Sequence, residues 1–226
     1  MFETEAARIA GILLGRPDVS PLLNLGSSTR AFRETDKPHI HARLFAPLAA
    51  AGVEVFHSDL KAGDGIDLTG DILDPAVRAG LTARGFRCVL SSNLLEHVRD
   101  RAAAIAACEA IAGPGGLILA TVPSSYPYHA DPIDTGYRPT PAQLAAAFTR
   151  SECLLAEEVA GQTYAEQLAA TGIPVWRAAA ATLLWLLRAP VRPKSARARL
   201  DRWRWYRRRY RVALVLVRVH SLTSAS

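Results

Sequence analysis

The feature that most constrains the fold of this chain is an alternation, over its first two thirds, of short apolar runs with alanine-rich segments. Two of the runs, residues 86–91 and 117–122, are mostly apolar without alternation, which is typical of strands covered on both faces. Strands separated by helices require crossover connections, and these produce a mostly parallel sheet between two helical layers. The sequence therefore predicts a doubly wound α/β fold.

The predicted strands are residues 22–25, 53–60, 65–71, 86–91, 117–122, 153–159 and 212–219. The predicted helices are residues 40–51, 74–84, 98–112 and 140–151. The last of these has a good N-cap in Thr140 and a proline, Pro141, that suits a first helical position. We expect the β-branched run at the end of the chain to add an antiparallel strand to the same Rossmann-like sheet.

Composition indicates one globular domain over residues 1–226. Half of the 226 residues are apolar, enough to build a sizeable core without disulfides or a structural metal. The three cysteines, Cys88, Cys108 and Cys153, are odd in number and widely spaced, which indicates reduced thiols. The first residues are acidic where a secretory signal is basic, so we expect a cytoplasmic protein.

The net charge of +6 is unevenly distributed. From residue 171 onward there are 13 Lys+Arg and one acid, whereas residues 1–170 hold 14 bases and 20 acids. The basic part falls largely within residues 161–210, which we interpret as a Trp-containing helical insertion before the last strand. A strongly basic segment on an acidic body indicates an anionic partner.

Aromatic residues in the insertion favour a membrane surface as that partner. Trp185 lies near the end of an uncharged stretch, and Trp203, Trp205, Tyr206 and Tyr210 lie among the arginines that follow it. Aromatic residues beside cations are typical of segments at a lipid interface. The uncharged stretch is shorter than the ~20 residues needed to span a bilayer, so we expect peripheral binding to anionic membrane through residues 173–211. The alternative is a hairpin that packs its apolar side on the domain. Nucleic acid is disfavoured because the acidic body would repel it.

The ends of the predicted strands carry the residues that could bind a ligand, since ligands of doubly wound sheets bind beyond the carboxyl ends of the strands. The first strand leads into Asn-Leu-Gly-Ser-Ser-Thr, residues 24–29, a small-residue turn whose amides could face a ligand. Asp59 ends the second strand, where a carboxylate can accept from both ribose hydroxyls. Asp71 follows the third strand and could accept from an adenine amine. Solvated loop acids are the alternative.

Two further motifs complete a pattern. Residues 93–98 are Asn-Leu-Leu-Glu-His-Val, and residues 113–116 are Gly-Pro-Gly-Gly, just before a strand that ends in Pro123. With the small-residue turn, Asp59 and Asp71, these motifs resemble the class I S-adenosylmethionine-dependent methyltransferases over residues 20–160. The resemblance is greatest to the type 11-like branch, in which a Leu-Glu-His segment follows the fourth strand.

The resemblance implies S-adenosylmethionine as cofactor and assigns it eight contact residues: Asn24, Gly26, Ser27 and Ser28 around the methionine part, Asp59 at the ribose, Asp71 and Ile72 at the adenine, and Asn93 on the far side. Glu96 and His97 are expected to shape the helix start and the pocket floor. Ser28 departs from the family pattern, in which a second glycine usually stands near that position.

The acceptor of the methyl group is expected at residues 124–139, a proline-spaced loop dense in Tyr, His, Asp and Arg. Following the fifth strand, this segment would cover the mouth of the pocket. We predict His129 as general base with Asp131 or Asp134 orienting it, and substrate contacts from Tyr126, Tyr128 and Arg138. The alternative is a lid held by its own hydrogen bonds, in which His129 is a structural donor.

The predicted function is methyl transfer to an oxygen or nitrogen of a glycan, a lipid-linked intermediate or a small metabolite. The alternative is a methyltransferase-like module that binds or scaffolds without catalysis. An oxidoreductase is disfavoured because the first loop lacks G-x-G-x-x-G. No metal is expected, since the pair His39 and His41 has no third ligand at a suitable spacing.

Overall fold

A computed structural model describes residues 1–129, 133–187, 190–191 and 193–221, with the backbone alone for residues 193–195. Seven strands form one sheet: β1 (Leu22–Leu25), β2 (Val55–Asp59), β3 (Leu68–Thr69), β4 (Cys88–Ser92), β5 (Leu117–Ser125), β6 (Ser151–Thr163) and β7 (Arg209–Val219).

The strand order is β3-β2-β1-β4-β5-β7-β6. Strands β1 to β5 pair in parallel, whereas β7 lies antiparallel between β5 and β6. The predicted fold class is confirmed: a mostly parallel, doubly wound sheet with an antiparallel C-terminal strand and a helical insertion.

The helices are α1 (Glu3–Leu14), α2 (Pro38–Ile40), α3 (Ala46–Ala50), α4 (Pro75–Thr82), α5 (Arg101–Ala112), α6 (Pro141–Ala146), α7 (Tyr164–Ala170), α8 (Val175–Leu186) and α9 (Pro193–Arg202). Short π-helical turns, Phe32–Asp36 and His41–Phe45, flank α2, and 3₁₀ turns lie at Leu95–His97 and Trp203–Trp205.

The core consists of two clusters, one on each face of the sheet. Successive residues of a strand alternate between them: in β5, Ile118 belongs to one cluster and Leu119 to the other, and both are fully buried. Helices α4, α5 and α6 cover the first face, and α1 with α3 covers the second. Burial on both faces explains why the central strands are continuously apolar.

Two helices differ from the prediction. Helix α1 was not predicted, although Ala6, Ile9 and Leu13 are spaced to form one apolar face and are fully buried. The predicted helix 140–151 is wrong at its end: α6 stops at Ala146, because the chain must already be extended at Ser151 to pair with β7. Its start is confirmed, since Thr140 caps the helix through a capping box with Gln143.

Three helices, α7, α8 and α9, lie between β6 and β7. The insertion is attached to the body through tryptophan, since Trp205 Nε1 donates to Ser125 Oγ at the end of β5 at 3.2 Å. Within it, Trp203 Nε1 donates to Thr182 Oγ1 of α8 at 3.0 Å. In the described part of the chain, no helix has both the length and the apolar character needed to cross a bilayer.

Candidate active site

A cavity of about 340 Å³ opens at the carboxyl ends of β1, β2 and β3. This volume falls within the range of small-molecule sites, about 300–1,000 Å³. Four of the eight residues predicted to contact a cofactor line it: Gly26, Asp59, Asp71 and Ile72. The structure therefore places both predicted acids on one cavity beside the glycine of the first loop.

Asp59 is held in place by backbone donors. Its Oδ2 accepts the Ser28 N–H at 2.8 Å, and its Oδ1 accepts the Lys61 N–H at 3.0 Å. A carboxylate has about four acceptor positions, so roughly two remain for a ligand. Asp71 accepts the Leu73 N–H at 2.9 Å through Oδ1 and has similar capacity left.

Both the backbone conformation at position 26 and the closeness of a neighbouring side chain require glycine there. Its φ is +70°, in the left-handed region that favours glycine. An added Cβ would lie 3.0 Å from the Cδ1 of Leu94, another residue of the cavity wall. A side chain at this position would therefore strain the turn and crowd the cavity.

The amides of the first loop face inward. Gly26 and Ser27 both donate their N–H to the Ser58 carbonyl, at 2.9 and 3.0 Å, and Ser28 donates to Asp59. The expectation that these amides are free to face a ligand is wrong, because strand β2 already satisfies them. Ser27 and Ser28 do not line the cavity, and their contact with a cofactor stays a prediction.

The other two predicted cofactor residues also lie outside the cavity lining. Asn24 is buried, and its amide nitrogen donates to His57 Nδ1 at 3.0 Å, which holds β1 to β2. Asn93 donates to the carboxylate of Glu5 at 2.7 Å. Both amides therefore serve contacts within the protein, and a role for either toward a cofactor stays a prediction.

Arg33 supports the first loop and was missed by the sequence analysis. Its buried guanidinium donates to the carbonyls of Ser27 and Ser28, and at 2.9 Å to that of Gly65 in the β2–β3 connection. Burial lowers the pKa of Arg33. An arginine in a polar helical turn is usually exposed, so no sequence pattern signals this role.

In the segment after β5, Asp134 is the centre of a hydrogen-bond network. It accepts from the backbone N–H groups of His129 and Gly136, at 2.9 and 2.8 Å, and from both terminal nitrogens of Arg138. Burial alone would raise the pKa of Asp134, but these donors outweigh burial and lower the pKa to about 2. Asp134 is therefore ionised and fully occupied.

Arg138 is engaged in the same network. Besides Asp134, it donates to the carbonyls of Tyr126 and Tyr137. These contacts match the alternative of a lid held by its own hydrogen bonds, and substrate contact by Arg138 stays a prediction. Tyr128 is 43% exposed. Asp131 lies outside the described residues.

His129 has the surroundings of a neutral imidazole. Its ring packs edge-on against His97 and Tyr126, each at a centroid distance of 5.1 Å, and burial lowers its pKa. Its Nδ1 lies 3.3 Å from Asp134 Oδ2 but without hydrogen-bond geometry, so Asp134 does not orient it through that atom. The role of His129 as a base stays a prediction.

An aromatic cluster, formed by Phe2, Tyr126 and Tyr210, lies beside His129. The ring centroids are 4.7 to 5.8 Å apart. Phe2 reaches this place because Glu5 of α1 accepts hydrogen bonds from the ends of β4 and β5. The sequence analysis missed Phe2 and Tyr210, since they meet only through tertiary packing.

Glu96 and His97 lie between the cavity and His129. His97 lines the cavity, and its Nε2 is 3.8 Å from Glu96 Oε1. Glu96 is completely buried with no hydrogen-bond partner at either carboxylate oxygen, and burial raises its pKa to about 8. A role in shaping the pocket floor does not explain why this buried carboxylate lacks a hydrogen-bond partner.

Comparisons with known proteins address the fold. No protein-family model matches the sequence, and no curated protein matches it. Among solved structures, the [4+2]-cyclase SpnF is 17% identical, with 95% of this chain and 81% of that chain covered and a TM-score of 0.56. A proposed methyltransferase from Bacillus halodurans C-125 is 12% identical, with 97% and 99% covered and a TM-score of 0.56. The chain has a methyltransferase fold.

A third structure contains a cofactor product. The phosphoethanolamine N-methyltransferase 2 of Haemonchus contortus, in complex with phosphomonomethylethanolamine and S-adenosylhomocysteine, is 11% identical. The alignment covers 96% of this chain and 52% of that chain, with a TM-score of 0.51. Identities this low establish the fold, and the type 11-like branch stays a prediction.

Replacing Ser28 by glycine should stabilise the protein. Ser28 has a φ of +54°, which costs a non-glycine residue roughly 1–2 kcal/mol, more than the ~0.5–1 kcal/mol that glycine loses by its flexibility. We expect Ser28→Gly to raise the free energy of unfolding in urea by about 0.5 kcal/mol. Ser28→Ala, which keeps the strain, should give no gain, and a clear loss in Ser28→Gly would contradict this reading of the loop.

Proposed function

We propose that the protein transfers a methyl group from S-adenosylmethionine to an oxygen or nitrogen of a glycan, a lipid-linked intermediate or a small metabolite. The observation that carries this proposal is the single cavity shared by Gly26, Asp59, Asp71 and Ile72. Its position at the carboxyl ends of the first parallel strands is where doubly wound sheets bind nucleosides.

The chemistry of the cavity fits the proposed cofactor. Asp59 retains acceptor capacity for the two ribose hydroxyls, and Asp71 for an adenine amine. Ile72 and Ala104 supply an apolar wall for the base. Bound there, S-adenosylmethionine supplies an already activated methyl group, so the main task of the protein is to align the acceptor with it.

The acceptor would lie on the side of His97, His129 and Tyr126. A hydroxyl acceptor must lose a proton as it reacts, whereas an amine that is already neutral needs less help. Because burial lowers the pKa of His129, its imidazole is neutral at pH 7 and able to take that proton. Tyr128, exposed at the same segment, is the proposed substrate contact.

We also propose that the insertion binds an anionic membrane surface and thereby brings a lipid-linked acceptor near the cavity. Helix α8 buries Ala178 and Thr182 but exposes an apolar face: Trp176 is 68%, Leu183 64% and Leu187 73% exposed. Their spacing of seven and four residues places them on one side of the helix.

Cations accompany this exposed face. The guanidinium of Arg177 lies 5.4 Å from the ring of Trp176, and that of Arg199 lies 4.8 Å from the ring of Trp185. An exposed apolar face bordered by arginines is suited to the boundary between anionic headgroups and acyl chains. These exposed apolar side chains support the membrane proposal over a hairpin that only packs on the domain.

The alternative function is a methyltransferase-like module that binds without catalysis. The likeness to a [4+2]-cyclase shows that this fold is not tied to one reaction. Binding of the cofactor product and turnover separate the two functions.

Asp59→Asn should weaken binding of S-adenosylhomocysteine at least tenfold, measured by titration calorimetry. A hydrogen bond to a charged group contributes about 1.5–3 kcal/mol, and tenfold corresponds to about 1.4 kcal/mol. Asp64→Asn is the matched control, because Asp64 is exposed and pairs only with Arg30. No binding by the unmodified protein, or equal affinities of both variants, would contradict the proposed site.

The unmodified protein should float with vesicles that contain phosphatidylglycerol and remain unbound to vesicles of phosphatidylcholine alone. Replacing Leu183 and Leu187 together by Asn should reduce the bound fraction at least fivefold, because the exposed face then loses its apolar side chains. Leu14→Asn, at an exposed leucine on α1 outside the insertion, should have no effect. Failure of the unmodified protein to bind anionic vesicles would end the membrane proposal.

A further inference from the structure

Three potential metal ligands, Glu96, His97 and His129, meet beside the proposed cofactor cavity. One donor atom from each lies within 4.8 Å of the other two. The first two residues come from the 3₁₀ turn after β4 and the third from the segment after β5. The sequence analysis expected no metal, because it considered only ligands close together in sequence.

Glu96 differs from the other buried glutamates. Glu5 accepts four hydrogen bonds, and Glu109 accepts two, from the N–H of Arg150 and the hydroxyl of Ser151. Glu96 is equally buried, yet neither of its carboxylate oxygens has a partner. Leaving a buried carboxylate unsatisfied is costly, so a ligand that satisfies it would be bound favourably.

Each of the two histidines has a nitrogen near the same place. The Nδ1 of His97 contacts the Ile133 carbonyl, so that nitrogen is the donor and Nε2 is turned toward Glu96. The Nδ1 of His129 is buried without a hydrogen bond. An imidazole fixed by a backbone carbonyl is the usual arrangement of a metal-ligating histidine.

We propose that Glu96, His97 and His129 bind a divalent first-row transition ion such as Zn²⁺ or Co²⁺. Imidazole nitrogens favour these ions over Mg²⁺ or Ca²⁺. Three protein ligands leave at least one coordination position open. Donor atoms of a tetrahedral site lie about 3.3 Å apart, whereas these three lie within 4.8 Å of one another. The side chains must therefore draw together by up to about 1.5 Å, and the partly exposed His129 can supply that movement.

Two cations oppose such a site, since Arg138 and the amino group of Met1 lie within electrostatic range of Glu96. Neither donates a hydrogen bond to it. They lower the affinity without occupying the ligand positions.

The ion would act on the acceptor, and this part rests on the proposed function. His97 lines the cofactor cavity, so an open coordination position would lie next to the bound methyl donor. An acceptor hydroxyl that coordinates the ion would lose its proton to water more readily. Its oxygen would then take the methyl group as the bond between that group and the sulfur of the donor breaks. The ion would then replace His129 in promoting that proton loss, and His129 would act as a ligand.

The test is a titration of the full-length protein with CoCl₂, followed by the visible absorption of the bound ion and by equilibrium dialysis. The unmodified protein should bind one Co²⁺ that ZnCl₂ displaces. His129→Gln should weaken binding at least tenfold, and Glu96→Gln likewise. His41→Gln, the same change at an exposed histidine, should leave the affinity unchanged.

Absence of saturable Co²⁺ binding by the unmodified protein would overturn the proposal, as would equal affinities in His129→Gln and His41→Gln. If Glu96→Gln does not fold, His129→Gln decides the question, since His129 is partly exposed in a loop. Calorimetry with S-adenosylhomocysteine on the same samples separates the two proposals: its binding tests the proposed function, and Co²⁺ binding tests the ion site.

Discussion

The hydrogen bond from the Ser28 N–H to the Asp59 carboxylate, 2.8 Å long, is the contact on which the proposed site depends. It joins the loops after β1 and β2 and fixes the carboxylate that faces the cavity. The parallel pairing of these strands places Gly26 beside Asp59, and the pairing of β2 with β3 brings Asp71 to the same edge. Strand pairing thus brings the cavity residues together, and the contact with Ser28 holds the Asp59 carboxylate in place.

The strands and the two acids could be predicted from local patterns. Short β-rich runs between helical segments mark the strands of a doubly wound sheet, and an acid at the end of such a run lies at the carboxyl edge of the sheet. The support of the site could not be predicted in this way. Glu5 contacts Ser92, 87 residues away, and Arg33 contacts Gly65, 32 residues away. Side-chain periodicity carries no information about which buried polar groups meet across the fold.

Sequence patterns were also insufficient on the acceptor side of the site, because they do not show which polar groups bind each other. The density of Tyr, His, Asp and Arg after β5 correctly indicated a polar segment, but Asp134 and Arg138 bind each other. Such a network positions the backbone at His129 rather than presenting its charges to a substrate. On the acceptor side, Glu96 and the Nδ1 of His129 are buried without a hydrogen-bond partner, so they retain capacity for a ligand. Which polar atoms lack partners is visible only in three dimensions.

We propose that one nucleoside-sized cavity between the ends of β1, β2 and β3 holds the methyl donor. A crystal structure of the protein with S-adenosylhomocysteine would show whether it does. We expect the ribose hydroxyls within hydrogen-bond distance of Asp59 and the adenine against Ile72, with its amine toward Asp71. Product bound elsewhere on the molecule, or bound there without contact to Asp59, would contradict it.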